Sequence, residues 1–364
     1  MWGTRRTCER GLIMIALASA VLAGCGGELS GDRSPPAGSV AVVPPAPRDA
    51  AIGLDAGDAS VAMPEIAIVA PTEGASFVRS TVVSGEWAAR VSITVEASGV
   101  HSVDVLADGM IELGTLPPMG GSLSGDFFAD GAHTITAIGR DASGVELVRD
   151  ELTITITPPA DTGCHAMLDA LGLDWEARSG VRGVSDPVLV QPTIRGVRFR
   201  YVSNAEPTAM IMACELAPHL VQLAELVREY GIDEVIHIGI YNYRCIGGGD
   251  PDVDGCTPSQ HATATAIDLH AFGLEGSDVE YSTEDDFVIT MRADSCPMRS
   301  SSEPDRVLKD IACRLVDEGV FNIVLTPNYN DAHRNHYHVD LTAGSRYLGV
   351  SASGVDPIVS GLGD

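Results

Sequence analysis

Asn328-Tyr329-Asn330-Asp331-Ala332-His333-Arg334-Asn335-His336-Tyr337-His338-Val339-Asp340-Leu341 begins with turn-forming residues and ends in strict polar-apolar alternation. Over residues 335–341 this is the two-residue period of a strand. His336, His338 and Asp340 then share one face, while Tyr337, Val339 and Leu341 share the other. The apolar face packs on a core. The polar face has to be solvated, hydrogen-bonded or metallated, because burying imidazole and carboxylate without partners costs several kcal/mol. Taken alone, the segment fits a polar edge strand as well as a metal site.

The residues around it read as an α+β domain over residues 162–350. Ser302 precedes Pro304, the apolar positions Val307, Leu308, Ile311, Leu315 and Val316 follow at helical spacing, and Gly319 ends the run. Met210, Cys214, Ala217, Val221, Ala224 and Val227 predict a second amphipathic helix over 207–230, closed by Gly231. Strands are expected at 234–243, 264–272, 320–326 and 335–341, so two helices on a small antiparallel sheet account for the pattern. Residues 63–158 differ. Short β-rich runs at 66–69, 78–83, 91–97, 102–107, 134–139 and 152–157, separated by turns, predict an all-β sandwich. Asp130-Gly131-Ala132-His133-Thr134 and Asp141-Ala142-Ser143-Gly144 resemble bacterial immunoglobulin-like modules of surface proteins, which implies a spacer or an adhesion or glycan-binding module.

At 364 residues the chain is long enough for about two domains plus appendages. Fifty acidic residues against 23 basic ones give a formal charge of −27, which repels phosphate backbones and anionic lipid and argues against nucleic acid as a partner. Arg5, Arg6 and Arg10 precede an apolar run over 11–23, too short for a membrane span and suited to a signal peptide over 1–24. Leu22-Ala23-Gly24-Cys25 resembles a bacterial lipobox, which implies acylation of Cys25 and a lipid anchor. By resemblance to enteric lipoprotein sorting rules, Gly26 rather than Asp after the cysteine implies the outer over the inner membrane, with the chain facing the periplasm or the cell surface. Pro, Ala and Gly dominate residues 25–62, a tether of roughly 33 Å r.m.s. span. Residues 351–364 read as a flexible tail. Apart from Cys8 and Cys25, the cysteines are Cys164, Cys214, Cys245, Cys256, Cys296 and Cys313. An even number in an exported segment predicts disulfides of open connectivity, with a zinc–cysteine cluster as the rival.

A second chemical segment is Ser259-Gln260-His261-Ala262-Thr263-Ala264-Thr265-Ala266-Ile267-Asp268-Leu269-His270. His261, Asp268 and an imidazole from the 335–341 strand make a three-donor set with a fourth position left for water, the layout of a catalytic zinc. Ser-x-His-Ala-x6-Asp followed by Asn-Tyr-Asn-x2-His-x2-His-x-His-x-Asp resembles the extensin-like C-terminal domain family and, more distantly, the LAS metallopeptidases, the lysostaphin and D-Ala-D-Ala peptidase group. The resemblance covers about residues 164–348. It implies one Zn2+ held by His261, Asp268 and His338, with His336 as catalytic base or transition-state stabiliser. Arg244, in Tyr241-Asn242-Tyr243-Arg244-Cys245, matches the family's Tyr-x-Cys-Arg region with the last two residues exchanged. That match implies an oxyanion-stabilising role; a surface ion pair is the alternative. Ser259, His333 and Asp340 are expected to support the ligands by hydrogen bonding, and His270 reads as a structural histidine. Ala264 stands where the family carries Gly, which strains the chain if φ there is positive.

Asp250-Pro251-Asp252-Val253-Asp254-Gly255 matches half a calcium loop, but His261 replaces the closing Glu, so a solvated acidic loop is expected. Glu275, Asp278, Glu280, Glu284, Asp285 and Asp286 read as an exposed face. No Gly-x-Ser-x-Gly occurs. Two functions stay open. One is an envelope-anchored zinc metallopeptidase that hydrolyses peptidoglycan peptide bonds, as a D,D-carboxypeptidase or endopeptidase. The other is a non-catalytic cell-envelope or peptidoglycan-binding module using the same fold.

Overall fold

The computed structural model describes residues 63–290 and 296–349. The signal peptide, Cys25, the tether and the tail expected from sequence lie outside these residues. Nine strands come first: β1 (Glu65–Ala70), β2 (Ser76–Val78), β3 (Thr81–Val83), β4 (Glu86–Ser98), β5 (Ser102–Ala107), β6 (Ile111–Leu116), β7 (Gly120–Phe127), β8 (Gly131–Arg140) and β9 (Glu146–Thr157). β1, β4, β3 and β7 form one sheet and β2-β9-β8-β5-β6 the other. Alternate residues of the long strands, such as Val91, Ile93 and Val95 of β4 and Ile135 and Ala137 of β8, fill a shared core. The run at 78–83 is not one strand. It parts at Arg79-Ser80, so β2 joins β9 while β3 joins β4 in the opposite sheet.

The remaining elements are α1 (Cys164–Ala170), β10 (Trp175–Ala177), β11 (Pro187–Val190), β12 (Thr193–Ile194), β13 (Val197–Tyr201), β14 (Met210–Ala213), α2 (Leu216–Arg228), β15 (Ile232–Gly239), α3 (Pro251–Asp254), β16 (Ala266–Leu274), β17 (Glu280–Ser282), α4 (Glu303–Asp317), β18 (Ile323–Leu325), β19 (Tyr337–Asp340) and β20 (Tyr347–Gly349). α4 starts where the cap signals place it: the Ser302 side chain accepts the Asp305 N–H, and Gly319 takes φ +72° beyond its end. The helix expected over 207–230 is shorter. Met210-Ile211-Met212-Ala213 forms β14 against β11, because four consecutive apolar residues satisfy a strand as well as a helix turn and a ladder partner is at hand.

The sheet is also larger than the small antiparallel one expected. Its order is β12-β13-β15-β16-β19-β18-β20, with β17 added to β16, and β13–β15 and β18–β20 pair in parallel. A separate sheet, β10-β11-β14, accompanies it. The strands that the sequence hides, such as β12, β13 and β20, have two to five residues, too few to show a period. The chain is thus a β-rich multidomain protein. In the large sheet Ile267, Leu269, Phe272, Tyr337 and Val339 join the core with α2 and α4, leaving Asp268 and His338 on the other face of β16 and β19. Three disulfides, Cys164–Cys214, Cys245–Cys256 and Cys296–Cys313, use all six cysteines, so the zinc–cysteine rival fails. Among the described residues no helix is long and apolar enough to cross a membrane.

Candidate metal centre

β16 and β19 run antiparallel with Asp268 directly opposite His338, which puts carboxylate and imidazole side by side on one face. His261 reaches the same point from the turn before β16. Its backbone carbonyl accepts the N–H groups of Asn242 and Ala264, and its Nδ1–H donates to the Ile240 carbonyl at 2.9 Å. The turn uses φ +55° at Ala264, so the strain anticipated for a non-glycine residue at this position is present.

The three inward atoms lie close together. His261 Nε2 is 3.1 Å from Asp268 Oδ1 and 3.1 Å from His338 Nδ1, which is 2.9 Å from Asp268 Oδ1. The outward nitrogens are occupied: His261 Nδ1 at Ile240 and His338 Nε2 at Asp340 Oδ2, 3.0 Å away. Asp340 Oδ1 in turn accepts the Thr342 N–H. Neutral rings held this way turn two lone pairs and a carboxylate oxygen toward one point, a set of donors suited to a cation. A tetrahedral zinc spaces its ligand atoms ~3.3 Å apart, close to the separations here. The residues therefore fit the ion that the resemblance implies. In the absence of an ion a proton does the same work. Burial opposes charge on His338, but Asp268 and Asp340 outweigh it and push the ring up to about 9. Burial likewise opposes charge on Asp268, and the hydrogen bonds from His261 and His338 still hold its carboxyl far below the usual range.

His336 is buried just before β19, its Nε2 3.7 Å from Asp268 Oδ1 and its Nδ1 2.8 Å from Asn335 Oδ1. Burial pulls its pKa down, with the Asp268 charge opposing. The His333 ring lies tilted 5.2 Å from His336 and edge-on 6.0 Å from His338, bonded through Nδ1 to Asn330 Oδ1; burial first, then these neighbouring rings, lower it to about 4. His270 bonds through Nδ1 to the Asn335 carbonyl. Of the three supporting residues expected, Asp340 bonds a triad ring and His333 only meets one edge-on. Ser259 has a buried hydroxyl with no hydrogen bond among the described residues. Arg244 is half-buried and makes neither hydrogen bond nor ion pair with the triad. In the acidic loop, Arg182 binds Asp250 and Asp252, so a guanidinium already balances that cluster. Sequence reading passes over Ile240, Asn335 and Thr283. A backbone carbonyl leaves no mark in the sequence, and Asn335 and Thr283 differ in no way from ordinary turn residues.

Three donors from two strands and a turn define a candidate metal centre in a disulfide-linked domain. The family profile described as Extensin-like protein C-terminus matches residues 164–348, half of the chain, and the protein belongs to that family. No curated protein matches it. Solved structures similar to part of it include the fibronectin(III)-like modules of Clostridium thermocellum CbhA. There the identity is 22% and the TM-score 0.20, over 26% of this chain and 98% of that one. Parabacteroides merdae β-glucuronidase is another, at 19% identity and TM-score 0.20, over 35% of this chain; the match spans 15% of the glucuronidase. At that TM-score neither bears on the site.

Proposed function

We propose that this protein is a zinc-dependent peptidase related to the LAS metallopeptidases, anchored in the bacterial envelope through Cys25 and acting on peptide bonds of peptidoglycan. The observation that carries the reading is the convergence of His261 Nε2, Asp268 Oδ1 and His338 Nδ1 within 3.1 Å of one another, with His336 Nε2 standing next to them. Zinc held there would supply Lewis acidity toward water and toward the scissile carbonyl. His336 accepts the proton of the attacking water and returns it to the leaving amine. Asp340 holds His338 in the tautomer that offers Nδ1. Arg244 is assigned to the developing oxyanion. The sandwich is an immunoglobulin-like spacer, and with the tether it carries the domain away from the membrane toward the wall.

The lack of a hydrogen bond or ion pair between Arg244 and the triad favours a second reading, a non-catalytic module that docks on wall polymer through the same centre. Elemental analysis of the purified protein tests the metal: one zinc per chain is expected, and none after His338→Ala. Incubation with purified peptidoglycan then separates the two readings by mass spectrometry. New amine termini establish hydrolysis, whereas co-sedimentation with the wall and no released peptide establishes the binder.

A further inference from the structure

His338 and His336 are anchored by different means. His338 lies within β19 and is held by its ladder with β16 and by Asp340. His336 precedes the strand and draws nothing from that ladder, yet its position beside the triad requires a defined ring orientation. Its Nδ1 is 2.8 Å from Asn335 Oδ1. Asn335 is itself fixed from behind, since its backbone carbonyl accepts the His270 Nδ1–H at 2.7 Å and stands 2.8 Å from the Thr283 hydroxyl, whose single proton is shared with the His270 carbonyl 2.7 Å away. Thr283 is fully buried, and its N–H donates to the His270 carbonyl. One backbone oxygen thus ties residue 335 to β16 and to the segment after β17, immediately before His336.

We propose that Asn335 is a positioning residue for His336. Its side-chain oxygen accepts the Nδ1–H, which sets the tautomer and leaves the Nε2 lone pair aimed at the centre, while His270 and Thr283 lock the Asn335 backbone. The proposal rests on the catalytic role given to His336 above, but the hydrogen bond can be read without any activity. The opposite tautomer would put the proton on Nε2 and remove the acceptor that proton transfer needs.

The test uses full-length protein in detergent with 15N-labelled histidine. Long-range 1H–15N correlation is expected to show His336 protonated on Nδ1 and bare on Nε2. Asn335→Asp, which can only accept at this position, is expected to keep that tautomer, and Asn335→Leu to lose it with zinc content unchanged. On isolated peptidoglycan, Asn335→Leu is expected to lower kcat about 10- to 100-fold with KM unchanged, and Asn335→Asp to retain most of it. A wild-type His336 protonated on Nε2 overturns the proposal, as does an Asn335→Leu variant with unaltered tautomer or unaltered kcat. If Asn335→Leu does not fold, the wild-type and Asn335→Asp spectra still decide. The expected tautomers in a wild-type protein that releases no wall peptide would uphold the positioning and sink the hydrolytic reading instead.

Discussion

The sandwich and the C-terminal domain each pair aspartate with histidine, and the two pairings end differently. In the sandwich, His133 Nδ1 meets Asp108 Oδ2 at 2.8 Å and Nε2 meets the Ala129 carbonyl at 3.0 Å, so both ring nitrogens are spent within the turn region. In the C-terminal domain, His261 and His338 satisfy their outer nitrogens and turn the inner ones toward Asp268 and toward each other. The first arrangement is closed. The second leaves a place for positive charge, and the difference lies in where the outer nitrogens find partners, since the residue types are the same.

Removing donors should separate the regions most sharply. Asp268→Ala is expected to lower zinc affinity by at least about 100-fold in competition with a chelating dye, whereas His133→Ala leaves it unchanged. An equal effect at both positions would erase the distinction. Asp340→Ala keeps all three donors and frees only the outer nitrogen of His338. It should weaken zinc by about 10- to 100-fold, and a null result would show that the outer partner is dispensable.

Proton competition sharpens the same contrast. His338 is pushed up to about 9, so at pH 7 zinc must displace a proton, and apparent affinity should fall about tenfold per pH unit below 9. Calorimetry in buffers of different ionisation enthalpy reads the released proton. In chelated protein, the stability that protonated His338 contributes is complete below its ordinary value near 6.5 and is lost as pH rises through about 9. His237 has the opposite sign. Burial lowers it to about 4, so the chelated protein also loses stability as pH falls from about 6.5 through 4. Melting temperatures across that range, with and without zinc, should show a high-pH loss that zinc abolishes.

The smallest effect is expected at Ala264→Gly. Relief of the positive-φ strain, about 1 kcal/mol, opposes the loss of a fully buried methyl, about 0.8 kcal/mol, so the net change should stay below about 1 kcal/mol. A larger change in denaturant midpoint would mean that the turn carrying His261 tolerates less variation than its geometry implies.

Much of this architecture is legible in the order of the residues. The alternation from Asn335 to Leu341 places Tyr337 and Val339 in the core with His338 and Asp340 opposite, and Ser302, Pro304 and Gly319 bracket α4 to within a residue or two. The strand β14 reads as helix because Met210-Ile211-Met212-Ala213 carries no period of its own. β12, β13 and β20 are too short to register, whereas β18 falls inside the strand expected over 320–326. Parallel pairing of β13 with β15 joins segments whose association no local pattern announces.

Residue order alone carries the candidate donors and the faces they occupy, because side-chain period and residue chemistry are local properties. Tertiary structure decided which nitrogen of His261 turns inward and how Asn335 is held, because both depend on main-chain oxygens met across the fold: the Ile240 carbonyl 21 residues from His261, and the Asn335 carbonyl bonded by His270. A hydrogen bond to a main-chain oxygen has no residue type to betray it, whereas Asp340 beside His338 and Asn335 beside His336 are neighbours in the sequence itself.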